Sequence, residues 1–172
     1  EWATRFDWLR MVFLFGDERC TPPDHPESNF RMAQTELFQP LNIRPEQVYR
    51  MKGESDDATA AAREYEATIR RLTSSPAPRV PVLDLVLLGI GDDGHTASLF
   101  PGTAALQEDK RIVTVGHAPT GIRSRLTVTL GVLNHAAVVL FLVTGSGKAH
   151  MVRRVLNQES EADRSLPAAR IL

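Results

Sequence analysis

The chain has 172 residues, 42% of them apolar and 24% charged, with a formal net charge of −1. That balance belongs to a globular domain long enough to bury one sizeable core, and it excludes a global attraction to nucleic acid or to an anionic membrane surface. One cysteine, Cys20, excludes an internal disulfide framework and fits a reducing compartment. The N-terminal EWATRFDW lacks the basic start and apolar stretch of a signal peptide, and no apolar run approaches the length of a membrane span. The expectation is a single domain over residues 1–172, cytoplasmic, in which an anionic ligand is caught by a local cluster of cations.

Met11–Phe15, closed by Gly16, reads as a fully buried strand that delivers Asp17-Glu18-Arg19. After a loop dense in turn formers, Ser28 or Asn29 is predicted to cap a helix reaching about Phe38, with Phe30, Ala33, Leu37 and Phe38 inward and Pro40 as its stop. Gln47–Met51 is a short candidate strand. Asp56 or Asp57 then caps a strong helix to about Leu72, in which Ala58, Ala61, Ala62, Tyr65, Ile69 and Leu72 recur at helical spacing. A proline-rich connector leads into an apolar strand at about Leu83–Leu88 and the loop running to Gly102. Ile112–Val115 and Leu126–Leu130 are further candidate strands, and Ala136–Val143 reads as another buried one. Thr144-Gly145-Ser146-Gly147 turns the chain into a helix over about Lys148–Leu156, with Ala149, Val152, Val155 and Leu156 inward. Strands alternating with helices predict an α/β fold, a Rossmann-like three-layer sandwich with a mostly parallel sheet, in which ligands collect at the carboxyl ends of the strands. The chain starts in what reads as the end of a helix, and its tail RSLPAARIL stops where another strand and helix could follow, so incompleteness at both ends is expected.

The loop after the Leu83–Leu88 strand carries the chemistry. Gly89-Ile90-Gly91-Asp92-Asp93-Gly94 spells G-x-G-x-x-G, but two adjacent aspartates would repel a pyrophosphate, and Pro101-Gly102 stops any following helix after about two turns of ~3.6 residues. Gly145-Ser146-Gly147-Lys148-Ala149 resembles the end of a P-loop, yet Leu142 and Ala149 stand where its first glycine and metal-binding hydroxyl belong. What remains there is a glycine turn bearing a lysine, a generic phosphate seat. Asp93 and His95, two residues apart after a buried strand, suit a carboxylate that holds one imidazole nitrogen while the other acts as a base. Arg19, Arg125 and Lys148 each lie beside a predicted strand end or helix start, which makes them candidates for a phosphate clamp. The remaining histidines show no metal-ligand spacing, so no metal is expected.

Taken together, GDER at Gly16–Arg19, HPESN at His25–Asn29, LGIGDDGHTASLFPG at Leu88–Gly102, Arg125-Leu126-Thr127 and the Lys148 turn resemble the 6-phosphogluconolactonases, whose superfamily includes the glucosamine-6-phosphate deaminases. Deaminases resemble the loop up to the histidine but then carry a catalytic glutamate where this chain has Phe100, and they tend to place tyrosine where it has Arg19. The resemblance implies hydrolysis of 6-phospho-D-glucono-1,5-lactone to 6-phosphogluconate in the pentose phosphate pathway, without metal or organic cofactor. It implies His95 as the base oriented by Asp93, and substrate contacts from Asp17, Arg19, Ser28, Asn29, Arg125 and Lys148, with oxyanion donors in the turn of Gly91 and Gly94. Capping a helix is an equally good role for Ser28 and Asn29. The expected partner is the sugar-phosphate lactone alone, bound by a monomer or weak homodimer; an amino-sugar-phosphate deaminase and a non-catalytic sugar-phosphate-binding domain are the alternatives. The glycine-rich S-G-G-x-x-P type loop that the family carries upstream is not found in this sequence.

Overall fold

The computed structural model describes residues 2–171. In chain order its elements are β1 (Phe13–Leu14), β2 (Asp17–Arg19), α1 (Asn29–Ala33, continued by a π-turn over Gln34–Phe38), β3 (Val48–Tyr49), α2 (Ala58–Leu72) and β4 (Val86–Leu88). There follow β5 (Val113–His117), β6 (Ser124–Val128), α3 (Leu130–Leu133), β7 (Val139–Phe141), α4 (Ala149–Asn157) and α5 (Glu161–Arg164). Two of the three sheets are parallel pairs, β1 with β3 and β4 with β7. The third is an antiparallel ribbon in the order β2-β6-β5. The α/β, Rossmann-like expectation holds. The ribbon adds what strand patterning could not show, since the apolar runs reveal strands but not their direction.

Helix α2 forms for the reasons its sequence states. Asp57 Oδ1 accepts a hydrogen bond from Ala60 N at 2.9 Å, a cap that contributes about 1 kcal/mol. Ala61, Ala62, Tyr65 and Ile69 then fall on one buried face, which packs against β5 and β6. The core gathers these residues with Met51, Val86, Leu88, Leu99, Val113, Leu126, Val132 and Leu133. Tyr65 also reaches β1. Its hydroxyl accepts from Phe15 N at 2.6 Å and lies 3.1 Å from Phe15 O and 3.2 Å from Tyr49 O, so one phenol joins the β1–β3 pair to α2. Burial drives the Tyr65 phenol well above its ordinary pKa, which keeps it a neutral donor and acceptor.

Several expectations need correction. The Met11–Phe15 run is not fully buried: Val12 faces out and only Phe13–Leu14 pairs as strand. Leu130 opens α3 rather than ending β6. In the Ala136–Val143 run, Val138, Leu140 and Leu142 are about half exposed, as are Val82, Leu85 and Leu87 on the β4 side. The β4–β7 pair thus buries one face and leaves the other apolar face open. A continuous apolar run hides such alternation, because both faces read alike. In α4 it is Met151 and Val155 that are buried, against Leu166, Ala168 and Ala169, whereas Ala149 and Leu156 are exposed. In keeping with the Pro101-Gly102 stop, no helix starts at His95; the chain there makes tight turns closed by a bridge between Thr96 and Leu99. Among the described residues no helix is long and apolar enough to cross a membrane.

Replacing Tyr65 with phenylalanine strands the Phe15 N–H, and an unsatisfied, partly buried donor costs about 1–3 kcal/mol. Urea unfolding of Tyr65→Phe should show a loss in that range with an unchanged slope. A difference below about 0.5 kcal/mol, the scatter of a neutral surface change, would contradict the role given to the phenol.

Candidate active site

The ends of β2 and β6 supply the cationic part of the site. Asp17 and Arg19 alternate with Glu18 along β2, so the outer two share one face and Glu18 takes the other. Arg19 lies directly opposite Arg125 in the antiparallel register, and Asp17 opposite Thr127. Arg19 donates through Nη1 to Glu27 O. The Nε atoms of Arg19 and Arg125 are buried without a hydrogen-bond partner among the described residues. Two arginines facing each other across adjacent strands, each with an unmatched buried Nε, suit an anion. Burial and then the neighbouring Arg19 charge lower the pKa of Arg125 from its ordinary value, a strain that a bound anion would relieve.

Two carboxylates hold this seat in place. Glu18 is 2% exposed, and its carboxylate accepts from Arg19 N at 2.8 Å, Asn29 N at 2.7 Å, Phe30 N at 2.8 Å and Ser28 Oγ at 3.0 Å. It therefore caps the first turn of α1 from outside the helix, while Ser28 Oγ takes Arg31 N at 3.2 Å. On the opposite face, partly buried Asp17 accepts from Ser98 Oγ at 2.6 Å and from Asn29 Nδ2 at 3.1 Å. Burial raises the Asp17 pKa; the Ser98 hydrogen bond and the charges of Arg19 and Arg125 pull the other way without cancelling it. Of the two roles expected of Ser28, this network shows the cap. Its hydroxyl is spent on Glu18 and on the cap, and the Asn29 amide nitrogen is spent on Asp17.

The loop after β4 presents His95. Its Nδ1 lies 2.6 Å from Asp93 Oδ1, which also accepts the His95 N–H at 3.1 Å. That pairing assigns the Nδ1 proton and leaves Nε2 without a partner among the described residues. The imidazole is about one third exposed and packs on Phe100, ring centroids 4.4 Å apart. For Asp93, burial pushes the pKa up, but the His95 hydrogen bonds outweigh it and the carboxyl rests below its ordinary value. Asp93 thus stays ionised as pH falls toward the acid range. A neutral imidazole with one nitrogen held by a carboxylate and the other free is the arrangement of a general base.

The glycines serve this geometry sterically. A Cβ on Gly91 would stand 2.0 Å from His95 Nδ1 and 2.8 Å from Asp93 Oδ1. Gly94 turns at φ 81° and comes so close to Leu166 that a Cβ would lie 2.8 Å from its Cδ2. Their N–H groups are already committed, Gly91 N to His95 O at 2.8 Å and Gly94 N to Gly91 O at 3.0 Å, so neither is free to serve as the oxyanion donor expected of them. Lys148 pairs with Asp92 at 2.7 Å, which ties it to the His95 loop and balances one of the two loop aspartates. Ser98, Thr127 and the Phe100 ring contact were not singled out by sequence reasoning. Glu18 was readable only through the strand alternation that sends it to the face opposite Asp17 and Arg19.

Residues 1–172 match the family described as glucosamine-6-phosphate isomerases/6-phosphogluconolactonase. The chain belongs to this family. It is 38% identical over 154 residues to the 6-phosphogluconolactonase of Synechocystis sp., covering 90% of this chain and 63% of that protein. It is 41% identical over 168 residues to the 6-phosphogluconolactonase of Rattus norvegicus, covering 95% of this chain and 62% of the relative. A solved structure described as devB protein superposes with a TM-score of 0.86 at 35% identity, covering 99% of this chain and 70% of that one. The chain therefore spans a little under two thirds of the length of these curated family members.

Gly91→Ala is expected to push the imidazole away from Asp93. In NMR spectra the His95 ring resonances should move while those of the distant core, such as Val132 and Ile69, stay in place. An unmoved His95 would show that the loop absorbs a Cβ without displacing the ring.

Proposed function

We propose that the protein hydrolyses 6-phospho-D-glucono-1,5-lactone to 6-phosphogluconate, the lactonase step of the oxidative pentose phosphate pathway. The observation that carries this reading is the Arg19–Arg125 pair, with its unpartnered buried Nε atoms, linked through Asp17 to the loop that presents His95. The names of the relatives support it. The arginines take the phosphate, and its binding energy fixes the ring over the imidazole. His95 Nε2 removes a proton from water as the water oxygen bonds to the lactone carbonyl carbon. The tetrahedral oxyanion then collapses with cleavage of the bond between that carbon and the ring oxygen. The ring oxygen takes the proton back from the imidazolium, giving the open-chain hydroxyl and a carboxylic acid that ionises. Asp93 holds the tautomer and stabilises the transient imidazolium throughout. The deaminase alternative needs a carboxylate where Phe100 lies against the His95 ring. The setting proposed for this activity is the cytoplasm, with the enzyme acting as a monomer or weak homodimer.

The test is lactone opening at neutral pH, measured above the spontaneous rate. His95→Ala should lose about 10²-fold or more in kcat, the scale of a positioned base; turnover near wild type would remove the imidazole from the mechanism. Arg125→Ala should raise KM at least tenfold with a smaller effect on kcat, and an unchanged KM would place the phosphate elsewhere.

A further inference from the structure

Resting on the lactonase reading above, we infer that Ser98 is a positioning residue that couples the phosphate seat to the general base. Ser98 is 1% exposed and lies three residues after His95 on the same loop. Its hydroxyl donates to Asp17 Oδ2 at 2.6 Å, and Asp17 lies on the β2 face shared with Arg19, opposite the β6 residues that follow Arg125. Its backbone N–H donates to Thr127 Oγ1 at 3.2 Å, and Thr127 in turn donates to Val128 O at 3.0 Å. Its carbonyl oxygen lies so close to β5 that a Cβ on Gly116, the register partner of Arg125, would come within 2.7 Å of it. All three polar groups of Ser98 therefore rest on the ribbon that carries the two arginines.

The loop is shaped to bring this residue inward. Ala97, just before it, adopts a left-handed backbone with φ 48°, a conformation a non-glycine residue holds only when its surroundings over-determine it. Thr96 Oγ1 donates to Gly89 O at 2.8 Å and Leu99 N to Thr96 O at 3.0 Å, which makes the segment from Gly89 to Leu99 one braced unit. A displacement of Asp17 when an anion engages Arg19 and Arg125 is transmitted to this unit through one short hydrogen bond, and the unit carries His95. The separation between the phosphate seat and the base, which must match the distance from the phosphate to the carbonyl carbon of the substrate, is set by the Ser98 contacts with the ribbon, of which the bond to Asp17 is the shortest. An error of about 1 Å at such a point costs on the order of 10²-fold in rate.

The experiment compares Ser98→Ala with the unaltered protein on two substrates, 6-phosphoglucono-1,5-lactone and unphosphorylated glucono-1,5-lactone. The expected result is a loss in kcat/KM at least tenfold larger for the phosphorylated substrate. Equal losses on both, or no loss on either, overturn the inference, because a structural defect alone does not distinguish a substrate with a phosphate from one without. A second measurement uses the unaltered protein and does not depend on the folding of the variant. Adding inorganic phosphate should shift the His95 ring resonances, and phosphate that leaves them unmoved overturns the coupling. Failure of the lactonase reading is separately visible, as an absence of turnover on either lactone while phosphate still moves the His95 signal.

Discussion

Two adjacent carboxylates, Asp17 and Glu18, are drawn out of water at the end of a short strand, and the site is organised by how each is satisfied. A buried carboxylate is costly unless its lone pairs meet donors. Strand alternation sends the two to opposite faces, so they recruit different parts of the chain. Glu18 draws the N-terminus of α1 onto the strand through backbone N–H groups and Ser28. Asp17 draws in Asn29 from that helix and Ser98 from the distant loop after β4. The start of α1 and the distant loop after β4 meet over these two residues, and Arg19 beside them is fixed as a consequence.

This division of labour separates scaffold from chemistry. Glu18 takes the Ser28 hydroxyl, and Asp17 takes the Asn29 amide nitrogen and the Ser98 hydroxyl; these groups build the floor. What the floor leaves unsatisfied is specific: two guanidinium Nε atoms on one side and the free nitrogen of a carboxylate-held imidazole on the other. One end of the site suits an anion and the other suits a water molecule to be activated. A phosphorylated lactone offers both an anionic group and an electrophilic carbonyl carbon, and this pairing is the ground on which we propose it as the substrate.

Much of this was legible in the amino-acid order, and what was not has identifiable causes. The cap and buried face of α2 follow from Asp57 and the helical recurrence of Ala61, Ala62, Tyr65 and Ile69, local signals that need no tertiary information. The Asp93–His95 pair is likewise local, two residues apart on one turn. Strand direction in the β2-β6-β5 ribbon was not readable, because residue type records burial and not polarity of pairing. Ser98 carried no sequence signal, since its importance lies in a contact 81 positions away. The open faces of β7 and α4 share one cause: apolar residues on both sides of an element conceal which side the fold buries, as Leu140 and Leu156 show.

These groups are proposed to act on a lactone carbonyl and not on an amino-sugar phosphate. This is tested most directly by giving the purified protein 6-phosphoglucono-1,5-lactone and glucosamine 6-phosphate in parallel and following acid release from the first and ammonia release from the second. Acid release well above the spontaneous rate with no ammonia is the result predicted from Phe100 against His95 and the Arg19–Arg125 pair. Ammonia release, or lactone opening no faster than in buffer, would contradict it.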